Sequence, residues 1–336
     1  MKTKNLILVI LCSFIAVSFL WSDGVEQEEQ GVYEYVLHRC DMEFEEASAA
    51  LEEAIQFSNF ELAAKFDQAT PEGCALKTRV FILFDEEYAK DIIEINRLTG
   101  PFAVPDRINL FEDEKGIHVS IVNSININRT ILMDDEMFNE ISLSHKHKLR
   151  DLVHYVLTGD ITNRQFGQFR SKGFIKKTMG IMAGGTFDEK LLNVVVAPGE
   201  SLEQVVETLE SELRMKDGKW GLGHIYSIVL ADEGIAIIGT SSPAVESRSF
   251  SIVKAGGDKT RKKLACPGIA HAAAYPMEIV IEKKKSVYWI RIVNSMYRMK
   301  MYFEDAGKMA FAANMGMPGS IEKELTKKIE RAFLEK

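Results

Sequence analysis

The strongest constraint on the fold of this chain is that it nearly repeats itself. Residues Pro105 to Asp134 read PDRINLFEDEKGIHVSIVNSININRTILMD, and Pro276 to Asp305 read PMEIVIEKKKSVYWIRIVNSMYRMKMYFED. The two align without a gap at an offset of 276 − 105 = 171. Ile121-Val122-Asn123-Ser124 then falls on Ile292-Val293-Asn294-Ser295, and the closing aspartates coincide. Upstream, Val36 to Ile55 aligns with Val194 to Leu213 at an offset of 194 − 36 = 158. Phe44, Ala47, Leu51 and Ile55 fall on Leu202, Val205, Leu209 and Leu213, the apolar stripe of an amphipathic helix. Ser201 and Gln204 form a capping-box pattern at the start of the second helix. Self-similarity at this spacing predicts two similar units in one chain. The offsets differ by 171 − 158 = 13, so the second unit carries about that much extra chain, expected in the loop Thr240 to Ser249 (TSSPAVESRS).

Each unit reads as strand, helix, several strands, short helix, hairpin, helix. In the first, Tyr33 to Arg39 and Arg79 to Phe84 are strands, while Phe44 to Phe57 and Glu86 to Arg97 are helices. Arg107 to Phe111 and Ile117 to Val122 form a hairpin over Lys115-Gly116. Ile117, Val119 and Ile121 share one face, matched by Tyr288, Ile290 and Ile292, so one sheet face is expected to lie under helices. Leu149 to Leu157 and Ile321 to Leu334 close the units as helices. The fold class is α+β: two repeated units, each a curved, mainly antiparallel sheet backed by helices. The expected organisation is 1–22 leader, 31–158 first unit, 159–188 basic Gly-rich linker and 189–336 second unit.

The helix FEEASAALEEAI, the strand and helix RVFILFDEEYAKDII, and the hairpin INLFEDEKGIHVSIVNS after a proline resemble domain-of-unknown-function family 302. The resemblance covers Tyr33 to Asp134 directly and the second unit through its correspondence with the first. It implies the TATA-box-binding-protein-like fold for each unit. It implies no reaction and no catalytic residues, since the family has none established, and that fold does not itself imply DNA binding. The family's typical member is one small domain, so a leader and a tandem repeat are departures: two copies in one chain would replace a dimer.

Lys2 and Lys4 precede an apolar run from Leu6 to Trp21, and acidic residues begin at Asp23. This is the pattern of a secretory leader, either cleaved or kept as a short anchor, and predicts export to a periplasm or beyond the cell. A net charge of −8 argues against nucleic acid as a partner. With Cys12 in the leader, Cys40, Cys74 and Cys266 remain; Cys40 and Cys74 fall in the same unit and could pair, which would leave Cys266 as a thiol, but the three cysteines define no framework.

Candidate sites are sparse. The repeated polar pairs Asn123-Ser124 and Asn294-Ser295 would present donors and acceptors at the sheet edge, or simply end strands by bonding their own backbone. His145 and His147 lie in SHKHK beside lysines and read as a solvated face; His118, His224 and His271 have no histidine counterpart in the other copy, and no metal is expected. Gly221-Leu222-Gly223 is a turn before a strand, and a phosphate cradle would need a helix after it. Arg164, Arg170, Lys172, Lys176 and Lys177 alternate with Phe166, Phe169 and Phe174, as a membrane-surface segment would or as a linker packed on one unit. The leading expectation is a non-catalytic exported protein, without cofactor, that binds a small apolar ligand or an envelope partner in a groove of helices over sheet. The alternatives are a hydrolase or thiol/redox enzyme using Cys266 and His271, and an assembly scaffold.

Overall fold

The computed structural model describes residues 29–133, 135, 137–171 and 184–334. The leader lies outside them, as do Lys172, Lys176 and Lys177. The first unit runs β1 (Glu29–Cys40), α1 (Phe44–Gln56), β2 (Phe60–Asp67), β3 (Thr78–Asp85), α2 (Glu86–Ile95), a 3₁₀ turn (Gly100–Ala103), β4 (Asp106–Asp113), β5 (Gly116–Val122), α3 (Ser124–Ile131) and α4 (Phe138–Val156). After β6 (Gly159–Ile161) and β7 (Gln165–Ser171), the second unit runs β8 (Leu191–Pro198), α5 (Leu202–Arg214), β9 (Gly223–Leu230), β10 (Ile235–Ser241) and α6 (Pro243–Val253). A 3₁₀ segment (Pro267–Ala274) follows, then β11 (Met277–Lys284), β12 (Val287–Val293), α7 (Ser295–Phe303), α8 (Lys308–Asn314) and α9 (Gly316–Leu334).

The two sheets share one strand order. The first is β2-β3-β4-β5-β1, extended at β1 by β6 and β7; the second is β9-β10-β11-β12-β8. Every pairing recorded in them is antiparallel. The fold is α+β with repeated units. Two expected boundaries differ. Gly159 to Ser171, read as the start of a linker, pairs with β1 and so belongs to the first sheet. The extra chain of the second unit is not at Thr240 to Ser249, which forms the end of β10 and the start of α6. It is the stretch 254–266, between α6 and the 3₁₀ segment, where the first unit has only 96–99 between α2 and its 3₁₀ turn.

The hairpin alternation points as expected on one side: Val119 and Ile121 join Phe81, Leu83, Ile108 and Leu110 in a core under α1 and α4. The other side of the same sheet is buried too, and it mixes polar side chains with the apolar Val80, Ile82 and Phe111. Thr78, Asn109, His118 and Ser120 lie there with almost no exposure because the second unit covers them. The 3₁₀ segment Pro267–Ala274 packs on β3, β4 and β5, and the equivalent turn Gly100–Ala103 packs on β10 and β11. The two units therefore clasp each other reciprocally, as the halves of a twofold dimer do. Asn109 Nδ2 donates to the Ile269 carbonyl at 3.1 Å, and Gln68 Nε2 donates to that of Ala272 at 2.8 Å. Thr78 Oγ1 also donates to Asn109 Oδ1 at 2.8 Å, so both polar ends of the Asn109 amide are satisfied. Within each unit the 3₁₀ segment lies so close to the preceding helix that glycine is required: a Cβ on Gly268 would collide with the Phe250 carbonyl, and one on Gly100 with that of Ile92.

The insertion 254–266 straps the second unit to the first. Asp258 accepts from the Tyr35 hydroxyl at 3.0 Å and from Arg164 at 2.8 Å. Arg261 reaches Asp113 at 2.6 Å. Cys266 at the end of the strap forms a disulfide with Cys74, in the long β2–β3 loop that is particular to the first unit. Cys74 thus pairs across the two units and not with Cys40, which is a free thiol among the described residues. The pairing follows the fold, since proximity across the two units outweighs proximity in sequence.

Beside this strap, Glu246 accepts from the Ala69 amide at 2.8 Å and from the Ser241 hydroxyl. Burial lifts its pKa from the ordinary 4.5 to about 7, against the lowering effect of those two hydrogen bonds. Between those values the folded protein holds a proton that the unfolded chain has released. The group's contribution to stability is therefore lost as pH rises through that window. Glu246→Gln, which buries no charge, is expected to leave stability nearly unchanged at pH 4 and to raise it at pH 8. Denaturant midpoints at the two values check this; an equal shift at both contradicts it.

Candidate functional site

Each unit carries a cleft in the equivalent place, beside the first residue of its hairpin and between the helices that flank it. In the second unit the cleft is framed by α6, α7 and α9. Ser242 caps α6 by accepting from the Val245 amide at 3.2 Å, with Pro243 in the first turn. Asn294 caps α7 by accepting from Tyr297 at 3.1 Å. Glu322 of α9 accepts from Asn294 Nδ2 at 2.9 Å and from the Ser295 amide at 2.8 Å, which fixes the two helices against each other. The cleft encloses about 60 Å³. Ile252, Val253, Met277, Met299, Phe303 and Ile321 make an apolar wall, with Phe311 of α8 and Met317 of α9 across from it. Polar groups are few. The Ser249 and Tyr275 hydroxyls lie 2.7 Å apart on the lining, and burial pushes the Tyr275 phenol up to about 12, so it stays a neutral donor. Arg298 is on the lining but is engaged by Glu278 and by the carbonyls of Ala274 and Pro276.

The first unit's cleft lies between α2 and α4 and has the opposite character. Asp85 caps α2, accepting from the amides of Glu87 at 2.9 Å and Tyr88 at 3.2 Å. His145, only 2% exposed, brings Nε2 to 2.6 Å from Asp106 Oδ2 and stacks flat on Tyr88 at 3.5 Å. The Tyr88 hydroxyl accepts from Asn128 Nδ2 at 2.6 Å. Burial raises the Asp106 pKa, with the neighbouring His145 opposing that rise. The hairpin offset of 171 sets Asp106 against Met277. The helix caps give 242 − 85 = 157, which sets Tyr88 against Val245. Matching the buried positions of the closing helices gives 321 − 145 = 176, which sets His145 against Ile321. Three polar positions of the first unit are apolar in the second.

The sequence-predicted residues fall as follows. Asn123 caps α3, accepting from the Ile125 amide at 3.2 Å, so both repeated asparagines are helix caps. Ser124 borders a small cavity beside Asp106, and Ser295 lines the apolar cleft. The histidine of SHKHK that matters is not on a solvated face: His145 points inward, while His147 is exposed. Its signal was the helical spacing of Ser142, His145, Leu149 and Leu152 on one buried stripe, obscured by the flanking lysines. Arg170 does not face a membrane. It is fully buried, donating to Asn126 Oδ1 and to the carbonyls of Lys300 and Met301. Arg164 is held by Asp258 over the Tyr35 ring. The Cys266–His271 pairing is corrected as well: Cys266 is tied up in the disulfide, and His271 lies 3.0 Å from Asp305. Among the described residues no group of three or more His, Cys, Asp or Glu side chains converges as a metal site would require, and no helix is long and apolar enough to cross a membrane.

No protein-family model matches the chain. No curated protein matches it either. Among solved structures, one similar chain is an uncharacterized conserved protein, DUF302, from Bacillus stearothermophilus. It is 13% identical, covering 39% of this chain and 98% of that one, with a TM-score of 0.31.

Proposed function

We propose that this is an exported, non-catalytic binding protein that takes a small apolar molecule into the cleft of its second unit. The observation that carries the reading is the apolar lining of the second unit's cleft, where Met277 and Ile321 stand in place of Asp106 and His145. Its concave shape and scarce polar groups are those of small-molecule sites. Two hydroxyls at 2.7 Å suit a ligand with one polar end. Methionine is concentrated here, and its flexible side chain adapts to apolar ligands of varied outline.

We also read the two units as diverged copies of the family-302 module. The residues of the first unit and the shared strand order support that reading. The leader pattern supports export, and a disulfide suits an oxidising compartment.

The neutral fluorophore N-phenyl-1-naphthylamine tests the site. Saturable fluorescence enhancement is expected with the wild-type protein. Met299→Glu, which places a charge on the apolar wall, is expected to weaken it by about tenfold or more, since burying an unpaired charge costs several kcal/mol. Enhancement that survives Met299→Glu unchanged sinks the proposal.

A further inference from the structure

We propose that α8 is a lid that holds the apolar cleft of the second unit shut in the free protein, and that a latch between Arg248 and Asn314 controls its opening. The inference concerns regulation of that cleft, and so rests on the reading of the cleft as a ligand site. Its starting point is volume. As it stands the cleft encloses about 60 Å³. A cavity that takes up benzene has on the order of 150 Å³, and small-molecule pockets run from about 300 Å³ upward. One wall therefore has to move before an apolar molecule can enter.

The wall with the least to hold it is α8. The helices α6, α7 and α9 are anchored by buried side chains such as Phe250, Tyr302 and Leu325, whereas α8 buries none of its seven residues. So short a helix with so little burial has low local stability. Phe311 and Asn314 nevertheless stand on the cleft lining. No side chain caps the first turn, which follows Gly307 at φ +85°. A Cβ on Gly307, or on Gly316 beyond the other end, would meet no atom within 4 Å, so the backbone has room to turn at both. Just before the first hinge the chain is fixed: Asp305 accepts from the Gly257 amide at 2.6 Å and lies 3.0 Å from His271. Across to α6, on which α8 packs, Arg248 Nη2 donates to Asn314 Oδ1 at 2.8 Å on the surface. The lid is also particular to this unit. The offset between units grows from 171 at the hairpin to 176 at the closing helix, so 176 − 171 = 5 more residues lie between α7 and α9 than between α3 and α4. Among the described residues no helix stands between α3 and α4. The extra helix thus sits over the cleft whose lining is apolar.

A closed form with no room for ligand lowers the apparent affinity by the fraction of molecules that are open. Breaking the latch raises that fraction, so loss of a contact should improve binding. The test is equilibrium titration and stopped-flow binding of N-phenyl-1-naphthylamine to the full protein, comparing wild type, Arg248→Ala, Asn314→Ala and the control Arg214→Ala. The control removes an exposed arginine contact, to Glu210, on α5. The expected result is that Arg248→Ala and Asn314→Ala each bind about threefold more tightly, through faster association with dissociation unchanged, while the control stays within about 1.5-fold of wild type. A residue that only held the wall in place would weaken binding when removed. Saturable binding that the two latch variants leave unchanged or weaken overturns the lid and leaves the apolar cleft standing. No saturable enhancement in any of the four proteins removes the cleft reading, and the lid with it.

Discussion

Glu278→Ala is expected to destabilise the protein by about 3–5 kcal/mol, the cost of removing one partner from a buried ion-pair network. Glu278 is 5% exposed and pairs with Arg107 of the first unit and with Arg298, which donates to it at 3.1 Å. Arg107 is itself 2% exposed and also donates to the Tyr302 hydroxyl at 3.1 Å. Without the carboxylate, two guanidinium groups stay in the junction with no counter-charge. Arg107 and Glu278 occupy equivalent positions, 278 − 107 = 171 apart, and meet because the units clasp reciprocally. Identical copies would bring like charges together there; only a fused pair can diverge to opposite signs. Urea unfolding measures the loss, and the double variant R107M/E278M is expected to recover part of it, because apolar pairs of similar volume often replace buried ion pairs at little cost. A change below about 1 kcal/mol for Glu278→Ala contradicts the junction described.

Loss of the disulfide should be comparable. Cys74 and Cys266 are 192 residues apart in sequence, so the crosslink removes much freedom from the unfolded chain. Chain-entropy reasoning gives about 5 kcal/mol for a loop of that length. For a chain of this size the corresponding fall in Tm is about 7 °C. Cys74→Ser, Cys266→Ser and wild type in reductant should therefore melt alike and early, while Cys40→Ser melts like the oxidised wild type. An early-melting Cys40→Ser, or an indifferent Cys74→Ser, contradicts the pairing.

The local elements were legible because local patterns fix them. The Phe44, Ala47, Leu51 and Ile55 stripe marks a helix that buries those residues, and the Lys115-Gly116 turn separates the two hairpin strands. What was hidden is contact between the units. Alternation in β5 reads as one buried face and one wet face, because His118 and Ser120 are polar; the second unit buries them all the same. Arg170 likewise looks like a surface residue until Asn126 and two carbonyls close around it. Among the candidate sites, the asparagine caps could be read from the repeat. The clefts could not, since each gathers side chains from elements far apart in sequence, and only alignment of the two units shows that their linings differ.

The proposal of an apolar ligand in the second unit is tested most directly by a native mass spectrum of wild type and Met299→Glu, purified without detergent and recorded before and after incubation with N-phenyl-1-naphthylamine. The predicted result is added mass on the wild type that leaves on denaturation, either carried through purification or supplied by the fluorophore, and none on Met299→Glu. A clean wild-type mass under both conditions, or equal added mass on both proteins, would contradict it.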